Sequence, residues 1–150
     1  MSLKETLQAD LNTAIKSRNS VVAETIRMVL TAITNEEVAG KEKKELSDAE
    51  IITVLTREAK KRREAAEAFE QGGRADKAAA ERAEGEVIAT YLPEQLSEAE
   101  LNQLITETIA AVGASGPGDM GKVMGALKAK VAGKADGATV SNLVKAALAK

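Results

Sequence analysis

Three segments of the pattern Ser-x-x-Glu, which begin at Ser2, Ser47 and Ser97, each precede a run of apolar residues. In such a capping box the serine side chain accepts a hydrogen bond from an amide of the first helical turn, and the glutamate reaches back to the serine amide. The apolar residues that follow recur with the three- and four-residue spacing of one helix face. No stretch shows the sustained apolar–polar alternation of a strand. The sequence therefore predicts an all-α protein.

Aromatic side chains are almost absent, because Phe69 and Tyr91 are the only two in 150 residues. A chain of this length can bury a core of useful size. That core has to be built from Ala, Leu, Ile, Val and Met. Side chains of this kind favour closely packed helices over a sandwich or a barrel.

Seven helices in two groups are expected from the apolar spacing and the stop signals. We predict an N-terminal bundle of about four helices over residues 1–93 and a small C-terminal three-helix domain over residues 94–150. Pro93 is expected to end the fourth helix, since proline excludes the next helical hydrogen bond. The other expected boundaries are a break at residues 18–20, a stop near Gly40, a turn at Gly72 and Gly73, a C-terminal cap at Gly113 and a stop at Gly133.

The residue inventory excludes several kinds of chemistry. The chain has no Cys and no His, so disulfides, thiol nucleophiles, imidazole bases and the usual zinc ligands are absent. Glu81, Glu84 and Glu86 lie close together in sequence, but without a calcium-type loop they are a weak signal for a cation site. No phosphate-binding loop follows a strand. We therefore expect no metal, no cofactor and no independent catalytic activity.

The location expected from the sequence is the cytoplasm. No apolar run approaches the roughly 18 residues that a membrane helix needs. Charges at Lys4, Glu5 and Asp10 interrupt any signal-peptide pattern at the amino end. No membrane association is expected.

Charge is distributed unevenly, although the whole chain carries only −2. From Gly113 onward, six lysines stand against Asp119 and Asp136, which gives +4, and the rest of the chain carries −6. This asymmetry indicates a tail that faces a polyanion. A second basic group lies in the third helix and comprises Arg57, Lys60, Lys61, Arg62 and Arg63. Pairs of opposite charge four residues apart favour a solvated face there, namely Glu58–Arg62, Lys60–Glu64 and Arg63–Glu67.

The predicted sixth helix contains a stripe of small residues, Gly121 and Gly125, continued by Lys128. Each glycine inside a helix costs about 1 kcal/mol relative to alanine. The favoured interpretation is close approach by a neighbouring helix of the chain; the alternative is close approach by a nucleic-acid backbone.

Lys122 and Lys130 are predicted to lie within about a quarter turn of each other on the sixth helix. Lys134 follows in the next loop, so these three are the candidate RNA contacts, whereas Lys128 points elsewhere. Asp119 and Asp136 are interpreted as N-caps of the helices that follow them.

Four segments carry a family resemblance: "FEQGGRAD", "YLPEQLSEAEL", "DMGKVMG" and "GKADGATVSNLV". Together they resemble the YqeY-like proteins of the GatB/YqeY family, and the resemblance covers essentially the whole chain. One departure is Lys77, where the family pattern leads us to expect an apolar residue.

The resemblance implies kinship between residues 94–150 and the tail of the GatB component of the glutamine-dependent tRNA amidotransferase, a tRNA-contacting module. That enzyme's ATP site and glutaminase have no counterpart here. The first hypothesis is thus a non-catalytic tRNA-binding accessory protein, with amidotransferase or tRNA-synthetase components as further partners and no DNA. A protein-interaction adaptor without RNA and a carbon–nitrogen ligase using glutamine within a complex remain alternatives. The matching positions are Gly121, Val123, Met124, Gly133, Lys134, Ala135 and Leu143.

Overall fold

The computed structural model describes all residues, 1–150, and contains seven α-helices, one short 3-10 helix at Pro117–Asp119 and no strand. The all-α prediction is therefore confirmed. None of the helices combines the length and the apolar character needed to cross a membrane. The helices are Leu3–Lys16 (α1), Ser20–Glu37 (α2), Asp48–Gln71 (α3), Ala75–Ala89 (α4), Glu98–Val112 (α5), Met120–Val131 (α6) and Gly137–Leu148 (α7).

The chain divides into two compact units, Met1–Pro93 and Glu94–Lys150. Helices α1 to α4 build the first unit, and α5 to α7 build the second. Each unit has its own cluster of buried apolar side chains. The division is compatible with the boundary expected at Pro93, while independent folding of the two units stays a prediction.

Three helices begin at the capping boxes that the sequence indicates. Ser2, Ser47 and Ser97 each accept a hydrogen bond from the amide three residues later, and the glutamate at that position bonds back to the serine amide. The predicted break between the first two helices is also present. Arg18 there has a positive φ of 57°, and the Asn19 side chain then caps α2 by accepting from an amide.

The core of the first unit is aliphatic, as the scarcity of aromatic residues requires. Helix α3 packs along α4, and α1 packs along α2. Where threonines are buried, their hydroxyl groups donate to the carbonyl four residues earlier, so the helices themselves satisfy them. The largest fully buried side chains here are Leu7, Ile26, Ile33, Ile51, Leu55 and Ile88.

Helix α4 ends earlier than expected, at Ala89 instead of Leu92. The amides of Thr90, Tyr91 and Leu92 each bond to the carbonyl three residues back, so the chain tightens into 3-10 geometry before the proline is reached. Pro93 follows this tightened turn, three residues beyond the C-cap residue Thr90.

The turn between α3 and α4 explains the unusual residue at position 77. Gly73 takes a left-handed φ of 76° there, and the Lys77 ammonium lies 5.6 Å from the centre of the Phe69 ring. A cation over an aromatic face is stabilising. Lys77 thus has a favourable contact with Phe69 at this turn.

In the second unit, buried aliphatic side chains of α5, α6 and α7 meet in one cluster. Gly113 ends α5 with a positive φ of 69°. Gly133 lies in the turn after α6, with a positive φ of 72°. The segment that enters the unit is fastened to that second turn, because the Leu96 amide donates to the Lys134 carbonyl and the Gln95 side chain donates to the Gly133 carbonyl.

Candidate functional site

The glycines of α6 lie on an open surface. Both Gly121 and Gly125 are exposed, and a Cβ added to either would meet nothing within 4 Å. The expectation that a neighbouring helix of the chain packs against them is therefore wrong. Helix geometry gives the reason: Val123 and Leu127 are fully buried, and Gly125 is two residues from each, about 200° around the axis. Close approach by another molecule stays a prediction.

Exposed lysines border this bare surface. At about 100° per residue, both glycines fall between Lys122 and Lys128 around the helix axis. Lys130 lies about 80° beyond Lys122 and about 140° from Gly125, so it does not border the glycines. All three lysines are exposed, and none forms an ion pair with a carboxylate of the chain. We call Gly121, Gly125, Lys122 and Lys128 the α6 surface.

Lys134 extends the basic character past the end of α6. Its backbone is fixed, because the carbonyl accepts from Leu96 and the amide donates to Val131, while its side chain is exposed. The structure thus leaves the amine of each candidate RNA-contacting lysine (Lys122, Lys130 and Lys134) available to solvent; whether they contact RNA stays a prediction.

The two aspartates that precede helices behave differently. The Asp136 side chain accepts from the Thr139 amide at 3.0 Å, which confirms the predicted N-cap of α7. Asp119 occupies the N-cap position of α6 as predicted, but its side chain accepts no hydrogen bond from the first turn of α6. Its carboxylate accepts instead from the Ser115 amide at 2.9 Å, and this bond, assisted by the charge of Lys122, holds the pKa of Asp119 below its ordinary value.

Positive charge in the second unit is local. The six lysines after residue 113 are balanced in residues 94–150 by six acidic residues, four of them glutamates within residues 94–107, so the unit as a whole is neutral. Part of that acidic charge serves helix capping, since Glu100 bonds to Ser97. The surplus of lysines therefore belongs to α6, α7 and the turn between them.

Four of the five basic residues of the α3 cluster form ion pairs, and those of Arg57 and Arg62 reach other helices. Arg62 was expected to pair with Glu58 on its own helix, but its guanidinium lies 3.2 Å from Glu81 and 3.4 Å from Glu84, both on α4. The Arg62 side chain is only 21% exposed, so a solvated-face interpretation fails for this residue. Glu81 and Glu84 serve as its partners, which accounts for two of the three carboxylates noted as a weak cation signal.

Three other members of this cluster form ion pairs. Lys60 pairs with Glu64 as expected, whereas Lys61 pairs with Glu58 and Arg57 reaches Glu36 on α2. Pairs in which both side chains are well exposed, such as Arg57–Glu36, contribute little to stability. They also leave this part of α3 with less free positive charge than the α6 surface.

Comparisons with known proteins show the family of this chain. A model of the family described as "Yqey-like protein" matches residues 4–148. The chain is 32% identical over 97 residues to a Schizosaccharomyces pombe protein described as "Uncharacterized protein C22F3.15", which covers 64% of this chain and 76% of that one. It is 34% identical over 91 residues to "Altered inheritance of mitochondria protein 41, mitochondrial" of Clavispora lusitaniae, which covers 61% of this chain and about half, 52%, of the relative. A family match over nearly the whole length shows that this chain belongs to the YqeY-like family.

Proposed function

We propose that the protein is a non-catalytic tRNA-binding accessory protein, related to the glutamine-dependent tRNA amidotransferase, that contacts tRNA with the α6 surface, Lys130 and Lys134. Amidotransferase or tRNA-synthetase components are its proposed protein partners. The observation that supports this most directly is the open space over Gly121 and Gly125 beside exposed, unpaired lysines. The cytoplasmic location expected from the sequence stays a prediction.

The chemistry of the surface suits phosphate more than bases. Residues 94–150 contain no aromatic residue, so bases have nothing to stack on. Single-stranded RNA is bound largely by such stacking, whereas folded RNA is recognised through shape, phosphate and the 2′-hydroxyl. Two bare glycines allow a sugar–phosphate backbone to approach the helix, and the bordering lysines supply the charge that phosphate binds.

The test is the salt dependence of binding between the full chain and folded tRNA. Replacing Lys122, Lys130 and Lys134 with glutamine should weaken binding at low salt. Each lost phosphate contact removes about 0.7 to 0.9 units from the slope of log affinity against log salt, so the triple variant should have a slope lower by about two units. The variant should unfold like the parent, because exposed lysines contribute little to stability.

A matched control separates a local contact from overall charge. Replacing three exposed lysines elsewhere, Lys16, Lys41 and Lys150, changes the net charge of the chain equally. Binding by this control should keep the parental slope. Equal affinity of the two triple variants for tRNA, or no tRNA binding by the parent at low salt, would contradict the proposal.

A protein-interaction adaptor is the second candidate, and the same open glycine surface favours it. Small residues four apart allow helix backbones to approach closely, and Gly121 and Gly125 have that spacing. The two candidates predict different losses in Gly125→Leu: the first predicts weaker tRNA binding, and the second predicts loss of a protein partner. Loss of a protein partner with no tRNA binding at any salt concentration would favour the adaptor.

A further inference from the structure

Three helix ends meet in the first unit, at the last residue of α2 and the first turns of α1 and α3. Glu37 ends α2 and is almost fully buried, with 3% of its side chain exposed. Both of its carboxylate oxygens accept from the Lys4 ammonium on α1, at 3.0 and 3.2 Å. Lys4 is the one residue that forms an ion pair with this buried carboxylate.

The same glutamate holds the loop between α2 and α3, residues 38–47. Its carbonyl accepts from the Lys44 amide at 2.8 Å, and its carboxylate accepts from the Leu46 amide at 3.3 Å. Leu46 is the single buried residue of this loop, and its side chain belongs to the core of the first unit. The loop is thus attached to the unit mainly through Leu46 and Glu37.

A third contact joins the first turns of α1 and α3. The Leu3 amide, one of the orphan amides at the start of α1, donates to the Asp48 carboxylate at 3.0 Å. Negative charge near the amino ends of two helices is favourable, as is the Lys4 ammonium at the carboxyl end of α2. The first turn of α1 is therefore held by Asp48 and by Glu37.

We infer that Lys4 and Glu37 form a charged latch that holds the first turn of α1 and the 38–47 loop together, so that neutralising Lys4 releases both as one unit. Removing Lys4 leaves a buried carboxylate without its ion-pair partner, and such breaking of a buried pair is strongly unfavourable. The carboxylate regains water only if it leaves its site. Since the same group holds the Leu46 amide, the loop moves with it.

The first turn of α1 and the 38–47 loop should therefore open together, without unfolding of the rest of the first unit. Proteins open locally at lower free energy than that of global unfolding, and opening begins where few contacts hold a segment. Lys4 is 29% exposed, so its charge is accessible to neutralising modification such as acylation, whereas Glu37 is not. Release would expose the apolar side chains of Leu3 and Leu46.

Amide hydrogen exchange on the full chain tests the latch. In Lys4→Gln, exchange at Leu46 and Lys44 should rise at least tenfold, together with exchange at Leu3. Amides in the middle of α3, such as that of Leu55, should keep their parental rates. Lys16→Gln is the matched control, since Lys16 lies on the same helix, is exposed and pairs with no buried carboxylate.

Two further variants separate coupling from general destabilisation. Leu46→Ala loosens the loop without touching either charge, and coupling requires that exchange at Leu3 rises in turn. Lys4→Arg keeps the charge and should keep protection at Leu46 within a few-fold of the parent. Unchanged exchange at Leu46 in Lys4→Gln, or an equal rise at Leu55, would overturn the inference. Unchanged amide exchange at Leu3 in Leu46→Ala would also overturn the inference.

Discussion

Gly125→Ala should stabilise the second unit, against what packing of the glycine stripe would predict. A methyl group at this position meets no atom of the chain within 4 Å, so overpacking does not occur. The backbone is helical on both sides, since α6 runs from Met120 to Val131. What remains is the helix propensity difference between glycine and alanine, about 1 kcal/mol in favour of alanine.

Gly113 supplies the opposite case within the same unit. It ends α5 with φ at 69°, in the left-handed region that disfavours a Cβ by about 1 to 2 kcal/mol. A Cβ there also meets nothing within 4 Å, so the two sites differ in backbone conformation and not in space. Gly113→Ala should therefore lower the free energy of unfolding by about as much as Gly125→Ala raises it.

The assay is native-state hydrogen exchange of buried amides in the second unit, because the two units need not unfold together. For a unit of this size, 1 kcal/mol corresponds to a shift in Tm of about 4 to 8 °C. Protection at Val123 and Val144 should rise in Gly125→Ala and fall in Gly113→Ala. Lower protection in Gly125→Ala would mean that the α6 surface is in contact with something in the native protein, and the open-surface argument would be wrong.

Two further predictions concern carboxylates. Asp136→Ala should lower the free energy of unfolding of the second unit by about 1 kcal/mol, the usual value of an N-cap hydrogen bond. Asp119→Ala should cost less, because the Asp119 side chain makes no capping hydrogen bond. Urea titration of amide protection compares the two variants. Hydrogen bonds from Lys4, above all, hold the pKa of Glu37 below its ordinary value. The stability that Glu37 contributes is then complete above its unfolded pKa and is lost as the pH falls through its folded pKa. Acid titration followed by circular dichroism should show this loss in the parent, and a smaller one in Glu37→Gln; equal acid midpoints would contradict it.

Much of the fold could be predicted because its signals are local. A capping box lies within four residues, and all three boxes begin helices as predicted. The end of α4 was predicted less well, because the amides of Thr90 to Leu92 bond to carbonyls three residues back and no residue in the sequence marks that change. Pro93 is a stop signal in the sequence, but the α-helix ends at Ala89, three residues before the predicted end at Leu92.

Interactions between helices were harder to predict from spacing. Arg62 has a suitable glutamate on its own helix, yet it pairs with α4. One signal was available: Arg62 and Glu84 stand equally far from Gly73, the centre of the hairpin turn, so antiparallel packing brings them level. The Glu37 latch offered no such signal, because Lys4, Glu37 and Leu46 come from three segments whose meeting depends on the whole first unit.

The glycines of the α6 surface also depend on contacts that spacing alone does not give. Glycines inside a helix lower its stability, and the sequence favoured a contact inside the chain that would offset this loss. The buried neighbours Val123 and Leu127 already place Gly125 on the far side of α6. A helix that loses stability at this position, with no contact inside the chain to offset the loss, is what we expect where another molecule approaches closely. Stability and binding should therefore respond in opposite directions: Gly125→Leu should protect the amides of α6 and weaken tRNA binding. A variant that is both more stable and fully binding would show that these glycines have no part in the contact.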